Sequence, residues 1–172
     1  MPISKNIKVK IKLPFIGEVE GSWEPDETEE KAAWELYVEL ITRISIIELK
    51  PDEGLLREDL SSLYSVFSTT REILKKYGAS IARCKDDSEI SFGYLAIAVL
   101  NTVLRPVLAK WHPLLLDYES RKTKDTSPVE HEQLWERNQE LRAELNQVRH
   151  ILLEYAEILA EVAKVPLLIV DR

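Results

Sequence analysis

The most apolar stretch of the chain runs from Ile90 to Leu116. Its first fifteen residues, up to Leu104, contain no charged side chain, and apolar residues fall on every side of the implied helix. This pattern is typical of a helix buried all round in a core, and charged residues interrupt the run before it reaches the roughly 20 residues of a membrane span. Because proline removes a backbone hydrogen bond and crowds the preceding turn, Pro106 and Pro113 predict a helix that is kinked or broken after Leu104.

A second helix is predicted from an apolar seam with alternating spacings of four and three, as in the packed helices of a bundle. The seam extends from Leu56 to Tyr77, between a predicted N-cap at Asp52 and a predicted stop at Gly78. An earlier helix is predicted over 26–49, with Trp34 on its packed face.

The longest seam starts at a capping box formed by Ser127 and Glu130 and reaches about Ala163. As one helix it would be about 54 Å long, against about 35 Å for the seam that ends at Tyr77. Part of the longer seam is therefore expected to cover the kinked central helix, the terminal strands or another chain.

Strand signals are confined to the two ends of the chain. Residues 7–13 alternate strictly between apolar side chains and lysines, which predicts a half-buried strand. Leu167–Val170 is a second candidate, and Glu18–Glu20 is a short extended piece. Because a single strand leaves its backbone groups unpaired, residues 7–13 are expected to pair with one of these two segments.

Together these elements predict an all-α protein of one domain. The expected architecture is a four-helix bundle with a kinked central helix and a small β element from the chain termini. Residues 1–24 form an extended segment, residues 25–164 the helical bundle and residues 165–172 a second extended segment.

Composition narrows the classes of function. The chain has 172 residues and a net charge of -7, which disfavours a general role in coating nucleic acid or anionic membrane. Its single cysteine, Cys84, excludes an internal disulfide and suits a reducing compartment. The N-terminal residues contain no apolar core of signal-peptide length. The sequence therefore predicts a cytoplasmic protein.

No cluster of residues carries an evident cofactor or metal chemistry. There is no glycine-rich phosphate loop, no paired CxxC and no HExxH. A di-iron bundle needs Glu-x-x-His on two helices, and here Gln147 stands three residues before His150. We expect no metal and no cofactor.

Arg105 and His112 form the one pair with catalytic potential, because seven residues are two helical turns and place both on one face. Arginine can stabilise charge on a phosphoryl transition state and histidine can act as general acid or base. The pair is similar to that of the HEPN ribonucleases, whose Arg-x4-6-His motif acts at a dimer interface. The resemblance covers these two residues and the all-α class, and departs from the family at Pro106, where a polar residue is usual. It implies a metal-independent ribonuclease as the alternative function. Otherwise, Arg105 and His112 bond carbonyls that the prolines free.

The favoured function is a non-catalytic interaction or assembly module. Its partner is expected to be a protein, either another protein or a second copy of the same chain. The unmatched length of the last helix predicts a homodimer, or a complex with another helical protein. Polar residues on a seam often fix helix register, and aromatic residues are enriched at interface hot spots. The predicted interface residues are Leu134, Trp135, Asn138 and Leu141, with Trp111 as a further candidate.

Overall fold

The computed structural model describes residues 6–43, 46, 48–50, 53–84 and 86–168. It is mostly helical, with one small antiparallel sheet. In chain order the elements are β1 (Ile7–Leu13), β2 (Gly17–Trp23), α1 (Glu27–Ile41), α2 (Leu56–Tyr77), α3 (Phe92–Glu119), α4 (Pro128–Leu134) and α5 (Asn138–Val162), with a short 3-10 turn at Ala79–Ala82.

The sheet is a hairpin whose apolar face packs on α5. Strand β1 buries its apolar residues and exposes its lysines, as predicted. Lys10 and Lys12 lie opposite Glu20 and Glu18 of β2, and Lys10 forms an ion pair with Glu18 at 3.4 Å. The partner of β1 is thus the segment that contains Glu18–Glu20, and both strands come from the N-terminal end of the chain.

The C-terminal segment is held by α1, so of the two partners expected for residues 7–13 the described residues show the Glu18–Glu20 segment. The Tyr37 hydroxyl donates to the carbonyl of Pro166 at 3.1 Å and accepts from the N–H of Leu168 at 2.7 Å. Residues 169 and 170 of the predicted strand lie outside the described residues.

Helix α1 is shorter than predicted, ending at Ile41 instead of residue 49. Its N-terminus carries a capping box in which Asp26 and Glu29 each accept the other's backbone N–H. Trp34 is exposed, which corrects its predicted packed position, because α5 and α2 cover other faces of this helix.

Helix α2 ends at Gly78 as predicted, with φ of 77° and an N–H that donates to the carbonyl of Leu74. It begins at Leu56, and the predicted N-cap, Asp52, lies outside the described residues. The observed N-cap, Leu55, offers no side-chain acceptor. Instead, the Glu132 carboxylate accepts from the N–H of Leu56 at 2.7 Å and from that of Arg57 at 3.2 Å.

Helix α3 continues through both prolines, so of the two outcomes predicted after Leu104, a kink or a break, the break is absent. A π turn at Leu100–Leu104 separates two α-helical segments, and in it the N–H of Arg105 donates to the carbonyl of Leu100. The wide turn leaves Pro106, which has no N–H, in the first turn of the following segment, where no donor is needed.

Helix α3 is also the one helix in the described part of the chain that is long and apolar enough to cross a membrane. The mean hydropathy of its most apolar window is 1.6, and half of that window is buried in the protein. Core helices of soluble proteins can be equally long and equally apolar.

The predicted continuous helix from Ser127 to about Ala163 is wrong. The capping box of Ser127 and Glu130 is present, but the chain leaves helical geometry at Trp135, which has φ of -68° and ψ of 124°. Helix α5 resumes at Asn138 and is about 38 Å long, close to the roughly 33 Å of α2.

The apolar seams predicted for α2, α3 and the last helix pack into one core. Seven of their side chains are buried, and Phe67 of the α2 seam is half-buried against them. The buried seven are Leu60, Leu63, Leu100, Leu104, Leu145, Val148 and Leu152.

A buried carboxylate joins the sheet, α1 and α3. Oε1 of Glu29 accepts from the indole N–H of Trp23 at 3.1 Å and from the N–H of Phe92 at 3.0 Å. Its Oε2 accepts from the N–H of Asp26 at 3.1 Å. Burial raises the pKa of Glu29 against these hydrogen bonds, which lower it. Glu132 at the start of α2 has a raised pKa for the same reason.

Replacing Glu132 tests the cross-chain cap of α2. Glu132→Ala leaves two N–H groups at the start of this helix without an acceptor and should lower the free energy of unfolding by about 2–4 kcal/mol. Urea denaturation measures this, with Gln133→Ala, an exposed neighbour in the same helix, as the matched control. Equal stability of the two variants would contradict the proposed role of the Glu132 carboxylate.

Candidate docking groove

A concave surface with a volume of about 890 Å³ lies between α2 and α3. We call it the α2–α3 groove. Its lining is mainly apolar, and Tyr64 on its edge is 63% exposed. The lining residues are Leu60, Ser61, Tyr64, Ser65, Phe67, Arg105, Leu108, Ala109, His112 and Pro113.

Both members of the sequence-predicted pair line this groove. Because α3 stays helical past Pro106, Arg105 and His112 lie two turns apart on one face, about 10 Å along the helix axis. The contacts that the structure shows for these side chains are to Phe67 and Arg57, and not to backbone carbonyls freed by the prolines.

Arg105 is exposed, and its guanidinium carbon lies 5.7 Å from the centre of the Phe67 ring. This is a cation–π distance. Within the described ranges Arg105 forms no ion pair with a carboxylate. Among the described residues, therefore, no carboxylate balances the positive charge of the groove at this point.

His112 is fixed by a neighbouring ion pair. Its Nδ1 lies 2.9 Å from Nη1 of Arg57, whose Nε donates to Oε1 of Glu119 at 2.7 Å. Because arginine has only donors, Nδ1 of His112 accepts this hydrogen bond. The neutral ring then carries its proton on Nε2.

The sequence-predicted interface is taken up largely by contacts within the chain. Trp111, Trp135, Asn138 and Leu141 are all buried within the chain, so they offer little surface to a second chain. Leu134 alone of the set is exposed, at 75%.

An aromatic cluster explains the burial of the two tryptophans. Their rings meet edge to face at 5.9 Å, and Trp135 also stacks on Tyr118 at 5.3 Å. The indole N–H of Trp111 donates to Glu144 at 2.6 Å. The cluster attaches α4 and the start of α5 to the second half of α3.

Asn138 serves the same junction. Its side-chain amide donates to the carbonyl of Glu132 at 2.7 Å, and its Oδ1 accepts from Nε of Arg142 at 3.1 Å. The polar seam residue thus closes the turn between α4 and α5. The length mismatch that suggested an interface on the last helix is absent, because that helix is interrupted here.

The α2 side of the groove was missed by sequence reasoning. Phe67 falls on the apolar seam predicted for α2, and nothing in the sequence marks Tyr64 or Arg57 as groove residues. Only the packing of α2 against α3 places these side chains beside Arg105 and His112.

Among the residues that the structure describes, no three His, Cys, Asp or Glu side chains converge to form a metal site. No protein-family model, curated protein or solved structure matches the chain. Function is therefore inferred from the groove and its chemistry.

Proposed function

We propose that the protein is a cytoplasmic, non-catalytic assembly module that forms a homodimer through the α2–α3 groove. The observation that carries the proposal is the composition of the groove: an apolar floor, an Arg105 that forms no ion pair with any described residue, and no carboxylate in the lining. The scaffold in this proposal is a single domain in which α1, α2, α3 and α5 form a four-helix bundle.

The apolar floor supplies the driving force for association. Tyr64, Phe67 and Leu108 all present carbon surface to the groove, and the exposed Leu116 extends this surface along α3. Removing such surface from water is worth roughly 25 cal/mol per Å², before the entropy of association is subtracted. A second copy placed on the groove would bury this surface on both chains.

Charge favours an antiparallel arrangement of the two copies. Arg105 lies one turn before Ala109 on the exposed part of α3. Symmetric dimers use the same patch on both chains, and an antiparallel two-fold axis near Ala109 would keep the two Arg105 side chains about 12 Å apart along the helices, whereas a parallel arrangement would bring them together. The small side chain of Ala109 allows the helices to approach closely at the axis.

Metal-independent ribonuclease activity is the second candidate, because Arg105 and His112 line one groove. In the neutral tautomer the only basic nitrogen of His112, Nδ1, accepts from Arg57, so the ring would have to release that hydrogen bond before it could act as a general base. A dimer formed through this groove would bring two such pairs together, as in the HEPN resemblance. The net charge of -7 opposes binding of RNA, so the non-catalytic function is favoured.

Ala109→Glu tests the dimer. Ala109 is exposed on a helix, so the substitution should leave the folded chain intact while placing two carboxylates at the symmetry axis. Multi-angle light scattering at micromolar concentration should give twice the 19.9 kDa chain mass for the wild type and the mass of one chain for the variant.

Leu134→Glu is the matched control, since it places the same charge on an exposed apolar site outside the groove. It should leave the dimer mass unchanged. A monomeric wild type would overturn the proposal. Dissociation by Leu134→Glu but not by Ala109→Glu would place the interface on α4 instead.

Incubation with single-stranded RNA in the presence of EDTA tests the ribonuclease. The assembly proposal predicts no cleavage above background for the wild type, and the same background for His112→Ala and Arg105→Ala. Cleavage that both substitutions abolish would establish the ribonuclease and remove the non-catalytic proposal.

A further inference from the structure

A second cavity, of about 260 Å³, lies between the start of α2, the first half of α5 and the segment that follows α1. It shares no lining residue with the α2–α3 groove. Its volume is slightly below the usual range for drug-sized ligands, which limits an occupant to a small metabolite. Two carboxylates and two guanidiniums line it, from Glu48, Asp59, Arg142 and Arg149.

Asp59 is the unusual member of this lining. Asp59 is only 9% exposed, and its Oδ1 is buried without a hydrogen-bond partner in the described part of the chain. A buried charged group without a donor is costly. A ligand that brings a donor to Oδ1 would remove this cost.

The opposite wall is cationic. Arg142 uses Nε to bond Asn138 at 3.1 Å, and no hydrogen bond is described for its two terminal nitrogens. The Arg149 side chain is 13% exposed and donates to Oδ1 of Asn146 at 2.8 Å, with Glu48 at 3.6 Å. These guanidiniums are suited to a carboxylate, which arginine binds through two parallel hydrogen bonds.

We propose that this cavity binds a free amino acid with an aliphatic side chain. The ammonium group would donate to Asp59, and the carboxylate would bond Arg142. The side chain would pack on the apolar part of the wall, which is formed by Leu49, Leu56 and Leu145. A lone cation would meet the two arginines and a lone anion would meet Asp59, so a zwitterion fits the charge pattern better than either.

The ionisation of Asp59 supports this assignment. Its pKa is raised to about 6, mainly by burial, with Arg142 lowering it and Glu132 and Glu58 raising it. The other charged groups of the site are Glu48 and Arg149. An ammonium group beside Asp59 would stabilise the ionised carboxylate, so binding should weaken as the pH falls below about 6.

Isothermal titration calorimetry of the intact protein at neutral pH tests the site with L-leucine as the probe. L-leucinamide lacks the carboxylate and 4-methylpentanoate lacks the ammonium group, so each removes one predicted contact. L-leucine should bind, and each analogue should bind at least about tenfold more weakly, since a hydrogen bond to a charged group is worth that factor or more. No binding of L-leucine, or equal binding of 4-methylpentanoate, would overturn the proposal.

Asp59→Asn identifies the residue, with Glu58→Gln, an exposed neighbour, as the control. Binding of L-leucine should be lost in Asp59→Asn and retained in Glu58→Gln, and binding by Asp59→Asn at wild-type affinity would contradict the assignment.

Folding is checked separately by thermal unfolding. The raised pKa means that protonation favours the folded state, so wild-type stability from this group should increase as the pH falls from 7 through 6 towards 4. Asp59→Asn should remain folded and lack this increase.

Discussion

The architecture depends on buried carboxylates that accept backbone N–H groups at helix starts. The first N–H groups of a helix have no partner within it, and α2 has no cap of its own. Glu132 provides that cap from a helix more than seventy residues further along the chain. Glu29 does the same for the start of α3 while also bonding Trp23 at the end of β2. Each glutamate therefore fixes where two distant elements meet.

The position of Glu132 explains why the last helical region is interrupted. Glu132 caps the start of α2, Trp135 packs in the aromatic cluster, and the seam of α5 stays in the core. The extended backbone at Trp135 allows all three, and Asn138 bonds the carbonyl of Glu132 at the turn. Because α5 begins only at Asn138, its length is close to that of α2. Its apolar seam therefore has no extra length that a partner would have to cover.

Helix α2 separates two surfaces of different chemistry. Towards α3 it contributes Tyr64 and Phe67 to an apolar groove that carries Arg105. Towards α5 it contributes Asp59 to a small charged cavity. The first surface suits association with a large apolar face, whereas the second suits a small zwitterion. The proposed assembly and the proposed ligand site therefore depend on different residues of one helix and can be tested independently.

The sequence alone determined the features that depend on local periodicity and capping. These are the mostly helical class, the alternating strand β1, the stop at Gly78, the capping box at Ser127 and the buried seams of α2 and α3. It also placed Arg105 and His112 on one face. Tertiary structure decided the rest, because the partners are distant in sequence: the cap from Glu132, the turn at Trp135 and the unpartnered Asp59. The π turn before Pro106 belongs to the same group, since a proline predicts a lost hydrogen bond, but only the packed helix shows that a wider turn replaces it.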